Sequence, residues 1–92
     1  MNLQTAMEKK TNFELAVIQH VKDVRTLKKF SQRDIAAFLN LTEGFIGQIE
    51  SPKNASKYNL NHLNKLATEM KCSPKDFLPD SPIEENEGEQ QE

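Results

Sequence analysis

The residues of this 92-residue chain whose types could do chemistry are His20, His62 and Cys72, with Gly44 and Gly47 to be weighed as a phosphate-binding loop. The two histidines stand in separate helical stretches with no Cys, Asp or Glu at metal-ligand spacing, so surface or cap-side positions account for them better than coordination does. Cys72 sits beside apolar residues between two helical patterns and reads as a small buried filler, not a nucleophile. Gly44 and Gly47 lie inside a helical pattern instead of between a strand and a helix, so they make no phosphate-cradling loop. Catalysis is not expected, and neither is a metal or a cofactor. What remains is hydrogen-bonding and stacking chemistry on the segment Thr42–Glu50. At about 100° per residue, setting Ile46 and Ile49 inward turns Gly44, Gly47 and Gln48 outward, with Glu43 and Phe45 on the flanks. The Gln48 amide can form paired hydrogen bonds with an adenine edge, Phe45 can lie against a thymine methyl or a sugar, and Glu43 can accept from cytosine. Each helix-interior glycine costs about 1 kcal/mol relative to alanine. Either the backbone there must come close to DNA, or the glycines relieve a crowded contact with another helix or are tolerated because tertiary packing supplies the stability.

The elements that position this segment are legible from caps and periodicity. Thr11 with Glu14 forms a capping box ahead of Val17, Val21 and Val24, predicting a first helix that ends near Lys28 and Lys29. Ser31 with Asp34 opens a second helix carrying Ile35, Ala36 and Leu39; Asn40 and Leu41 form a tight turn; Thr42 caps a third helix carrying Ile46 and Ile49. Pro52 and the polar stretch from Ser51 to Tyr58 cannot continue that helix and predict an exposed loop. Asn59 caps a fourth helix whose buried stripe is Leu60, Leu63, Leu66, Ala67 and Met70. Ser73-Pro74-Lys75-Asp76 opens a short fifth helix that buries Phe77 and Leu78. The expected organisation is a flexible N-terminal arm over 1–11, one all-α domain over 12–80, and a disordered acidic tail over 81–92.

From Ser31 to Glu50 the sequence SQRDIAAFLNLTEGFIGQIE resembles the helix-turn-helix of the phage repressor and Cro family of DNA-binding domains. The resemblance extends over roughly residues 12–78: Arg25, five residues before Phe30, falls on the family's helix-one Arg, Glu50 on the Glu that closes the recognition helix, and Asn59, Leu60 and Leu63 on the opening of its fourth helix. Ser51-Pro52 and a longer loop depart from the family's usual Asn-Gly, and Phe38 stands where the family usually has a polar residue. The resemblance implies a compact five-helix repressor-like DNA-binding domain, with Thr42–Glu50 in the major groove and Gln32 on a phosphate at the positive end of its helix. Lys53, Asn54, Ser56 and Lys57 would line the DNA backbone from the loop. Arg25 and Glu50, both beside inward helix faces, are expected to form a structural salt bridge.

Charge divides along the chain: residues 1–30 carry +3, residues 31–80 are neutral, and residues 81–92 carry −5, for a net −2. The body without its tail is mildly basic, a weak electrostatic footprint for a nucleic acid. No apolar run reaches membrane-spanning length and no signal order opens the chain, so a cytoplasmic protein without membrane contact is expected. The function expected is a transcription regulator that binds double-stranded DNA sequence-specifically and works by occupancy. A homodimer would have to form through the domain itself. The alternative is a protein-interaction module on the same fold, such as an antitoxin-like partner protein, that uses Phe38 and the acidic tail.

Overall fold

Every helix start among the described residues is held by the side chain of its capping residue. The computed structural model describes residues 10–85; the predicted arm over 1–9 and the predicted tail over 86–92 lie outside the described residues. Helix α1 (Asn12–Leu27) begins where the Thr11 hydroxyl accepts from the Glu14 N–H and the Glu14 carboxylate accepts from the Thr11 N–H. Ser31 and Asp34 make the same exchange at the start of α2 (Gln32–Leu39), and the Thr42 hydroxyl accepts from the Phe45 N–H at the start of α3 (Glu43–Glu50). At α4 (Leu60–Met70) a histidine takes the usual acidic role: His62 Nδ1 accepts from the Asn59 N–H while Asn59 Oδ1 accepts from the His62 N–H. Partial burial lowers the His62 pKa, in keeping with a neutral ring that can accept.

Three helix ends also share one closure. Lys29 after α1, Asn40 after α2 and Lys71 after α4 are left-handed, with φ of 67°, 60° and 58°. In each case the next residue, Phe30, Leu41 or Cys72, donates its N–H to a carbonyl five residues back and packs its apolar side chain against the core. This is the bonding of a Schellman motif, with its accompanying apolar contact. No glycine is used, which is why the sequence shows no stop signal at Lys29 or Lys71. Phe30 also meets Phe38 edge to face, with ring centroids 5.2 Å apart, which gives Phe38 a packing role.

The described residues hold four α-helices and a final 3-10 turn (Pro74–Phe77), and no strand, so the fold is all-α. The expected fifth α-helix is corrected to this four-residue turn. Ser73 and Asp76 do form a capping box, but Leu78 is already extended ahead of Pro79, as a pre-proline residue favours. Helix α2 packs on α3 and α4, while α1 packs on α3 and on the 3-10 turn. Their shared core includes Val21, Ile35, Ile46, Ile49, Leu66, Met70 and Phe77, all completely or almost completely buried.

Four further expectations change. Leu60 is 81% exposed: side chains lean toward a helix's N-terminus, so the first residue of α4 leans past its start and beyond the covered stripe. Leu78 is 39% exposed because extended backbone sends it away from the side on which Phe77 is buried. Lys10, assigned to the flexible arm, is buried and donates to the carbonyl oxygens of Ser51 and Asn54. Residues 81–85, expected to begin the disordered tail, return to α1: the Glu85 carboxylate accepts from the Asn12 and Phe13 N–H groups at 2.6 and 2.8 Å, and Asn12 Nδ2 donates to the Glu84 carbonyl. A helix's first N–H groups lack intrahelical partners, and a carboxylate there also meets the favourable end of the helix dipole.

Candidate nucleic-acid interface

The last residue of helix α3 ties it to two other helices. Arg25, in the last turn of α1, donates from Nε to Glu50 Oε2 at 2.9 Å and from Nη2 to Glu50 Oε1 at 3.0 Å. The third guanidinium nitrogen, Nη1, donates to the Phe30 carbonyl and so braces the turn between α1 and α2. Gln32 Nε2 donates to the same Glu50 Oε1 at 2.8 Å, which brings α2 into the network. Burial opposes ionisation of Glu50, but the hydrogen bonds from Arg25 and Gln32 outweigh it and hold the carboxyl below its ordinary range; the same contact pushes the Arg25 pKa up. One carboxylate thus joins three helices.

With Ile46 and Ile49 buried, the opposite side of α3 faces outward. Gly44 and Gln48 are exposed and Gly47 half-exposed. A Cβ built on Gly44 would meet nothing within 4 Å, and one on Gly47 would meet only Gln32 Oε1, at 3.9 Å. Neither glycine has a positive φ. Crowding against another helix therefore does not account for them. Thr42 is exposed with its hydroxyl committed to the cap, and Glu43 is exposed with its carboxylate 4.0 Å from Arg33 Nε. Phe45 is half-buried and packs against the core, leaving only part of its ring outside.

Two of the residues expected on DNA phosphates are otherwise engaged. The Gln32 amide faces inward onto Glu50, because a buried carboxylate oxygen next to it offers a stronger acceptor than water. Lys57 is drawn back onto α1, its ammonium 2.9 Å from Glu14 Oε2, where the Lys57 and Thr11 contacts outweigh burial and lower the Glu14 pKa. Lys53 is exposed on the loop beyond α3. Asn54 shapes that loop: its Oδ1 accepts from the Ser56 N–H, and its own N–H donates to the Ser51 carbonyl. Lys10 completes the loop's fastening and could not be foreseen, since 41 residues separate it from Ser51 and no pattern marks the pairing.

His20 Nδ1 lies 3.3 Å from the Phe77 carbonyl, and Cys72 is half-buried with its thiol pKa pushed up by that burial. Among the described residues no group of three or more His, Cys, Asp or Glu side chains could hold a metal ion, and no helix is long and apolar enough to cross a membrane. No family model, characterised protein or solved structure matches the chain.

Proposed function

We propose that this protein is a sequence-specific regulator of transcription that uses α2, the Asn40-Leu41 turn and α3 as a helix-turn-helix and lays the outward face of α3 in the major groove of double-stranded DNA. The observation that carries the reading is the bare face at Gly44 and Gly47. Two glycines in an eight-residue helix cost about 1 kcal/mol each, and neither packing nor backbone conformation requires them. A duplex that must come close to the α3 backbone supplies the missing reason. In this reading Gln48 reads a base edge, Phe45 and Glu43 flank it, Thr42 stands near the groove wall, and Lys53 meets the backbone. Arg25, Glu50 and Gln32 hold α3 at its angle.

The test is selection from random-sequence duplexes at two salt concentrations. Enrichment of a common short sequence, with affinity falling steeply as salt rises, is the expected result. Recovery of unenriched sequence at both concentrations would refute it.

A second reading, a protein-interaction module, is favoured by a separate feature. Phe13, Val17, Tyr58, Leu60, Leu63 and Leu78 line an open apolar groove between the start of α1 and the start of α4. Leu60 is its most exposed wall. Exposed apolar surface of this kind marks partner sites in other proteins, and loss of a partner on Leu60→Ser with duplex binding intact would assign the groove that role.

A further inference from the structure

Glu50 and Ser51 are consecutive, yet they are held from opposite ends of α1. Arg25, in its last turn, takes the Glu50 carboxylate; Lys10, two residues before its first, donates to the Ser51 and Asn54 carbonyls. Lys10 is 7% exposed, a deep burial for a lysine. Ser51 is extended and ends α3 ahead of Pro52, so its carbonyl has no helical partner. The Asn54 N–H already donates to it, and the ammonium supplies a second donor at the end of α3, where the helix dipole favours a cation. The second carbonyl, of Asn54, closes the loop that carries Lys53. Burying an ammonium is costly unless it is fully hydrogen-bonded. Two backbone carbonyls take two of its three donors and the Glu14 charge lies nearby, yet burial outweighs that charge and lowers the Lys10 pKa.

We propose that Lys10 is a positioning residue for nucleic-acid binding, which fixes residues 51–54 so that Lys53 stands in register with the outward face of α3. The proposal rests on the reading of α3 given above. It adds that the segment preceding α1, by sequence the least patterned part of the domain, sets where the loop's cation falls.

The experiment is a double-mutant cycle on duplex binding. Lys10→Met keeps the length of the apolar stem and removes all three donors. In the parent chain, Lys53→Ala should weaken binding about fivefold and flatten the dependence of log affinity on log salt by about 0.9. In the Lys10→Met background the same substitution should add less than about twofold, because the cation is no longer held where phosphate lies. A merely structural lysine would lower the melting temperature and leave the Lys53 effect whole, so equal losses in both backgrounds overturn the proposal. Amide exchange gives a second readout: faster exchange at Asn54, with α4 unchanged, is expected in Lys10→Met, and unaltered exchange counts against the clamp. If Lys10→Met does not fold, Lys10→Gln serves as the second background for both measurements. A parent chain that binds no duplex removes the functional reading and this role together, whereas additive losses with parent binding intact remove this role alone.

Discussion

Arg25 and Glu50 meet side-on through two nearly parallel hydrogen bonds of 2.9 and 3.0 Å, with side chains only 14% and 5% exposed. The pair ties the last turn of α1 to the last residue of α3. Removing one partner strands a buried charge, so Arg25→Met should cost about 3 kcal/mol of stability, read as a shift in the urea midpoint. A loss under about 1 kcal/mol would mean that the pair behaves like a surface ion pair.

Glu50 also predicts a pH dependence. Its folded-state pKa is depressed, so its contribution is fully present above the ordinary glutamate value of about 4.3 and is lost as pH falls through the lower folded value. Unfolded chains bind more protons in that window, so stability should rise with pH across it. Glu14, also depressed, adds a slope of the same sign. Glu50→Gln should reduce the slope of unfolding free energy against pH below about 4.3; an unchanged slope would show that Glu50 titrates alike in both states.

The glycines of α3 separate stability from function. Gly47→Ala meets only an ordinary contact, so it should stabilise the fold by about 0.5–1 kcal/mol and raise the melting temperature by several degrees. The same methyl should weaken duplex binding. A variant that is stabilised and binds as well as the parent would leave the bare face without a functional reason.

Gln48 carries the specificity in the proposed interface. Its replacement by alanine should relax the preference at one base pair at a cost of about 1–3 kcal/mol, measured against a panel of single-base operator variants. Uniform weakening across the panel would instead place Gln48 on the DNA backbone.

Glu85 anchors residues 81–85 on the start of α1. Glu85→Gln keeps the shape and removes the charge, so thermal unfolding should show a loss of about 0.3–1 kcal/mol that shrinks as salt is raised. Exchange of the Asn12 and Phe13 amides should quicken at the same time. Amides that stay protected would mean that other groups cap the helix.

The caps at Thr11, Ser31, Thr42, Asn59 and Ser73 were legible because a capping side chain acts on backbone within three residues. So were the buried faces of α2 and α3, set by a period that every helix shares. Tertiary structure alone decided matters that depend on residues far apart in sequence. Lys10 looked like part of a loose arm until the Ser51 and Asn54 carbonyls came within reach. Gln32 looked free for phosphate until Glu50 stood beside it, and Lys57 until Glu14 did. Leu60 carries the stripe's spacing but has nothing folded over it. Periodicity says which way a side chain points along its own helix. Whether a buried carbonyl, a carboxylate or open water waits there is settled by how the helices cross, because a polar group takes the strongest partner that the fold brings near.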